Sequence, residues 1–198
     1  NTVAFIQLNQ PGELIGNLHE KNDIWKDLLK TGSAGAFLEK LILADSLMRQ
    51  EGMHEFLDEG NAWLCLSDDT ASVGLSLIFT WPYATSSSIL EEIFMRIEGK
   101  ELRAEERIFN GLEATVLSDS NSVICYYSLS HGLCMIASDA AVMKAMADRI
   151  ENKSPLPHFE QLEKVAATSG RNVNANIYIN FNRIPGLARR VFSPSAFP

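Results

Sequence analysis

The sequence predicts an α+β fold: an antiparallel sheet of about six to eight strands with helices packed mainly on one face. Three observations lead there. Helical and strand patterning are segregated, with one strand and then helices up to residue 60, and mostly strands after it. Four strand-like runs between residues 101 and 137 follow one another through short turns, as in a meander. An alternating strand pattern, Ala-x-Ile-x-(Leu/Ile)-Asn, opens the chain at Ala4–Asn9 and recurs at Ala175–Asn180, each time with a Pro-Gly pair downstream.

The elements follow in order. Residues 3–9 alternate as a strand, with Ala4, Ile6 and Leu8 on one side. Pro11 suits the first turn of a helix bearing Leu14, Ile15 and Leu18. Asn22 or Asp23 caps a second helix with Ile24, Trp25, Leu28 and Leu29 inward. The longest helical region spans 36–58, where Phe37, Leu38, Leu41, Ile42, Leu47 and Met48 recur at helical spacing and Gly52 interrupts. Strands are expected at 62–67 and 72–81, joined by a turn at Ser67-Asp68-Asp69-Thr70. Ser86, Ser87 and Ser88 offer caps for a helix that Gly99 ends.

The meander runs through 101–109, 112–117, 123–129 and 133–137. Asn110-Gly111 is the strongest hairpin signal in the chain, and His131-Gly132 is a second two-residue turn. That second turn pairs Leu129 with Cys134 and Cys125 with Ser138, which leaves Cys125 and Cys134 too far apart along the ladder for a disulfide. Ser138 or Asp139 caps a helix to Ile150, another helix covers 159–167, and the repeated strand occupies 173–181. Residues 183–191 begin a further helix. Residues 1–170 thus form one α+β unit. Residues 171–198 supply a strand and helix that either close the sheet or begin a second, truncated repeat.

Composition narrows the function. Of 198 residues, 46% are apolar and 21% charged, which suits a folded globular chain. Seventeen Lys and Arg face 25 Asp and Glu, a net charge of −8, which disfavours nucleic acid and anionic membrane surfaces. No apolar run has the length of a transmembrane segment. Three cysteines without a C-x-x-C spacing form neither a disulfide framework nor a zinc site.

No phosphate-binding glycine loop, H-E-x-x-H, EF-hand loop or G-x-S-x-G occurs. Of the histidines His19, His54, His131 and His158, none lies four residues from another. A Ser/His/Asp triad can be drawn from His131, Asp119 and one of many serines, although nothing in the sequence marks a nucleophile. Tracing strand directions gives a sharper candidate. Asp68, Asp69, Asp119 and Asp139 should share one edge of the sheet, where gathered carboxylates would hold calcium; turns and helix caps favour Asp for their own reasons. Along the terminal strand, Asn174, Asn176, Tyr178 and Asn180 offer carboxamides and an aromatic ring for a polar ligand such as a glycan. Arg183, Arg189 and Arg190 form a small basic patch.

On Asn1-Thr2-Val3-Ala4-Phe5-Ile6, on Gly132–Ser138 running into a helix, on the Phe159 helix and on Ala175–Asn180, the chain resembles an uncharacterised bacterial family, domain of unknown function 3352. The likeness runs loosely over the whole chain and contains no specific motif. It implies an exported or lipid-anchored envelope protein with two related α+β units, and it carries over no catalytic residue. An extracytoplasmic location follows from it, with the targeting segment removed ahead of Asn1. The expected function is a non-enzymatic binding or structural module whose partner is an envelope protein or glycan. The alternative is a hydrolase or metal-dependent enzyme with its site on the acidic rim.

Overall fold

The structure is a computed structural model that describes residues 2–13, 42–53, 58, 60–67, 74–81, 87–152, 159–170 and 173–185. The helices expected from Leu14 to Trp25 and beyond, His19, His54, His158, Arg189 and Arg190 lie outside them, as do Asp68 and Asp69.

Eight strands make one sheet. In chain order they are β1 (Thr2–Asn9), β2 (Asn61–Ser67), β3 (Gly74–Thr80), β4 (Arg103–Phe109), β5 (Leu112–Ser118), β6 (Val123–Ser130), β7 (Leu133–Ala137) and β8 (Ala175–Ile179). Across the sheet the order is β4-β5-β6-β7-β3-β2-β1-β8, and each pairing is antiparallel. The complete helices among the described residues are α1 (Ser87–Glu98), α2 (Ala140–Glu151) and α3 (Phe159–Thr168). A further helical run covers residues 42–50. This is the α+β class that the segregated patterning predicts.

Local chemistry sets the element ends. Asn110 and Gly111 have φ of 46° and 89°, and His131 and Gly132 have 54° and 73°. Both pairs are therefore type I′ hairpin turns, the kind whose twist matches the flanking strands. Leu129 faces Cys134, as the His131-Gly132 turn dictates, and the three cysteines are free. Gly52, at φ 80°, closes the 42–50 helix. Its N–H donates to the Arg49 carbonyl and that of Met53 to Met48, the Schellman pattern, with Met48 packed against the core cluster that holds Met53. Gly99 ends α1 at φ 66°.

Among the described residues helices lie on both faces of the sheet, so the expected packing mainly on one face is not what they show. Alternation along the paired strands sends Ala62, Phe79, Cys125, Tyr127 and Cys134 to one side, where they cluster with Met53 and with Leu90 of α1. It sends Val116, Tyr126, Met135 and Ala137 to the other side, where Val142, Met143 and Ala147 of α2 cover them. Tyr127 ties α1 to the first face by donating to Glu91 Oε1 at 2.7 Å. Its burial, at 2% exposure, pushes the phenol's pKa well above the ordinary value. No helix among the described residues is long and apolar enough to cross a membrane.

Candidate functional site

The strand order and register fix where the chemistry-bearing side chains gather. β5 and β7 run the same way, so Asp119 and Asp139, just beyond their ends, share one edge of the sheet. With β6 between them they sit about 10 Å apart, two strand spacings. β2 ends and β3 begins at that edge, because Ser67 pairs with Gly74. Asp119 and Asp139 thus share the edge foreseen from strand directions; Asp68 and Asp69 lie outside the described residues.

Both described carboxylates are engaged locally. Asp119 Oδ1 accepts from the backbone N–H of Asn121 and Ser122, each at 2.7 Å, and Oδ2 accepts from Lys100 Nζ at 2.5 Å. The Lys100 ammonium first, and then the two N–H groups, hold the Asp119 pKa well below the usual carboxylate range. Lys100 is raised in turn by Asp119. Asp139 Oδ1 caps α2 by accepting from the N–H groups of Ala141 and Val142 at 3.0 Å each, and Oδ2 accepts from Ser138 Oγ at 3.1 Å. The acidic residues are therefore spent on a turn and a helix start. A shallow cleft of about 390 Å³ lies beside Asp119, lined by Lys100, Glu101, Arg103 and Asn121 among others. No cluster of three or more His, Cys, Asp or Glu suited to a metal occurs among the described residues.

His131 is at the opposite edge. It sits in the β6–β7 turn, and β6 is eight residues long, so about 25 Å separates it from Asp119. The triad that can be drawn from the sequence is therefore not assembled. Ser130 Oγ lies 2.7 Å from His131 Nδ1, in a second cleft of about 210 Å³ that Glu113 and Glu151 also line.

The polar residues of β8 come together with partners that are distant in the chain. Cross-strand neighbours point to the same face, so β2, β1 and β8 build three rows on the face that α2 covers further along. The first row is Asn61, Asn9 and, just before β8, Asn174. The second is Trp63, Gln7 and Asn176. The third is Cys65, Phe5 and Tyr178. Every residue in them is partly buried. Phe5 and Tyr178 stack with ring centres 5.5 Å apart and planes 29° from parallel.

Several of these groups are tied internally. Gln7 Nε2 donates to Asn9 Oδ1 at 3.1 Å, and Asn9 Nδ2 donates to the Val173 carbonyl at 2.8 Å. Asn176 Nδ2 donates to the Gly170 carbonyl at 3.2 Å and Tyr178 Oη to Ser169 Oγ at 3.0 Å, which fastens the end of α3 to β8. The buried Asn174 Nδ2 makes no hydrogen bond. A buried donor without a partner costs about 1–3 kcal/mol, so the array carries this cost at Asn174. Asn180 lies at the start of the 3₁₀ turn Phe181–Arg183, and its side chain makes no cap bond to that turn.

Of the four residues singled out from the sequence along and beside β8, Asn174, Asn176 and Tyr178 enter this array. Trp63, Gln7, Asn9 and Asn61 escaped sequence reasoning because they reach it only through non-local pairing. The array joins flat aromatic surface to carboxamides that both donate and accept, which is chemistry suited to a hydroxyl-rich ligand. No family model, curated protein or solved structure matches this chain.

Proposed function

We propose that the chain is a non-enzymatic binding module of the bacterial cell envelope, part of an exported or lipid-anchored protein, and that it takes a hydroxyl-rich envelope glycan on the face of β2, β1 and β8. The resemblance to domain of unknown function 3352 supports the setting. The carboxamide and aromatic rows support the ligand class, and the single observation that carries it is the alignment of Trp63, Gln7 and Asn176 side by side on one face. An acidic-rim enzyme would need carboxylates free to ligate or to move protons, whereas Asp119 and Asp139 are both held by turn and cap donors.

Titration with soluble peptidoglycan fragments tests the reading, with the part of the fluorescence change from the three tryptophans that Trp63→Phe removes reporting Trp63. A saturable change is expected. Trp63→Ala and Gln7→Ala should each weaken binding about tenfold, the equivalent of about 1.4 kcal/mol. Fragments that produce no change by fluorescence or calorimetry, or variants that bind as tightly as the parent, would remove the ligand assignment. Fractionation of cells making the full natural protein tests the setting independently, since recovery in the cytosol alone would overturn it.

A further inference from the structure

We propose that two copies of this chain pair edge to edge through β4, antiparallel and about a two-fold axis at Glu106, so that their sheets continue as one. The proposal stands apart from the glycan reading, which uses the opposite end of the sheet.

β4 ends the sheet, and no further strand lies beyond it among the described residues. Arg103 to Ile108 are exposed, Ile108 by 73%. A two-residue turn is closed by a hydrogen-bonded pair, which here is Phe109 and Leu112. Alternation then turns the main-chain groups of Phe109, Arg107, Glu105 and Arg103 toward β5. It turns those of Ala104, Glu106 and Ile108 outward. Such an edge is a template for another strand, and the charges it carries restrict which strand it accepts. The chain as a whole has a net charge of −8, but on β4 Arg103 and Arg107 balance Glu105 and Glu106. This edge is therefore one place where two copies can meet without net repulsion.

Charge complementarity identifies the occupant as a second copy. In a two-fold antiparallel pair of identical strands, one residue lies on the axis and faces itself. With Glu106 there, at the middle of β4, all seven residues of the strand overlap. Glu105 of each copy then faces Arg107 of the other, Arg103 faces Phe109, and Ala104 faces Ile108. Glu105 and Arg107 meet as non-hydrogen-bonded pairs, in which side chains approach most closely. Within one copy Arg107 already reaches Glu105 Oε2 at 3.3 Å, so the two copies would join four charges of alternating sign. A network of this kind is worth more than isolated surface pairs. Other registers lose the match. An axis at Glu105 sets Arg103 against Arg107 and Glu105 against itself. An axis at Arg107 sets that arginine against itself. Larger shifts overlap three residues of β4 or fewer. Like charges directly opposite destabilise a ladder, and the register centred on Glu106 has one such contact, between the two Glu106 side chains on the other face.

Sedimentation equilibrium on the 198-residue chain tests this. A reversible monomer–dimer equilibrium is expected. Arg107→Glu opposes two carboxylates in both symmetric pairs and should weaken the dimer at least about tenfold. Exchanging the two charges, Glu105→Arg together with Arg107→Glu, should restore the affinity to within about threefold of the parent. Glu106→Gln removes the one like-charge contact and should tighten the dimer by about threefold or more. All three side chains are exposed, and a parent-like circular dichroism spectrum for each variant separates a lost interface from a lost fold. The proposal is overturned by a chain that stays monomeric up to millimolar concentration. It is equally overturned by a dimer that Arg107→Glu leaves unchanged or tightens, that the charge exchange does not restore, or that Glu106→Gln weakens.

Discussion

Val142 of α2 packs directly over Gly74 of β3, and replacing the glycine with alanine tests how tightly that layer is set. A Cβ there would overlap Val142 Cγ2 of α2 and stand 2.8 Å from Ser67 Oγ. Carbon atoms are at rest about 3.5–4.0 Å apart, so either α2 must lift or Val142 must turn. Turning is restricted, because a valine in a helix holds one χ1 rotamer about 90% of the time. Lifting α2 would loosen Met143 and Ala147, both fully buried. Overpacking of this kind costs about 1–3 kcal/mol. Against it stands about 0.5–1 kcal/mol recovered by removing a glycine from a strand.

Gly74→Ala should therefore lose about 1–2 kcal/mol. In a chain of this size that lowers the melting temperature by about 2–4 °C per kcal/mol. Urea denaturation gives the free energy directly. The decisive comparison is the Val142→Ala background, in which the obstructing methyl groups are gone. There the same substitution should be close to neutral, a coupling of about 1 kcal/mol or more between the two sites. A cost that is equal in both backgrounds, or a stabilised single variant, would refute the close approach of α2 to β3.

Three further outcomes are expected. Because the Asp119 pKa is depressed in the folded chain, its contribution is present above the ordinary carboxylate value of about 4 and is lost as pH falls below it. The parent should therefore exceed Asp119→Asn in urea midpoint at pH 7, with the gap closing below pH 4; a gap unchanged at pH 3 would contradict this. Burial pushes the Cys125 thiol up to about 12 and Cys134 higher still, so neither should react with a thiol reagent at pH 8 until the chain is unfolded. Rapid labelling of either in the native chain would show that the first face is open. Millimolar calcium should leave the melting temperature unmoved, because the Asp119 and Asp139 carboxylates already accept local donors; a rise would return Asp68, Asp69, Asp119 and Asp139 to consideration as ligands.

Much of the fold was legible because its signals are local. Asn110-Gly111 and His131-Gly132 fix two hairpins by their demand for positive φ, and Asp139 announces α2 by its capping chemistry. The helix placement was not legible from the alternation of β3, which reads as one apolar face. β6 carried the missing signal: Cys125, Tyr126, Tyr127 and Ser128 are buried in succession. A strand buried on both faces lies between two layers, and its buried serine hydroxyl, Ser128 Oγ, donates to the Glu113 carbonyl at 2.5 Å. The candidate site divides the same way. Asn176 and Tyr178 alternate visibly along one strand, but Trp63 and Gln7 join them only because β1 is paired on both edges, and sequence patterning says nothing about which strands become neighbours.

The sheet order also sets how the chain comes together. β4 to β7 are linked by short turns and zip up from nearest neighbours, whereas β3 must find β7 across some 60 residues, as Ser76 meets Ala137. β1 must find β8 across nearly the whole length. Closing such large loops delays the ladders that depend on them. The β1–β8 ladder is then the last to form and the first to open, so β8, with no further strand beyond it among the described residues, is the one that protease or denaturant should release ahead of the rest.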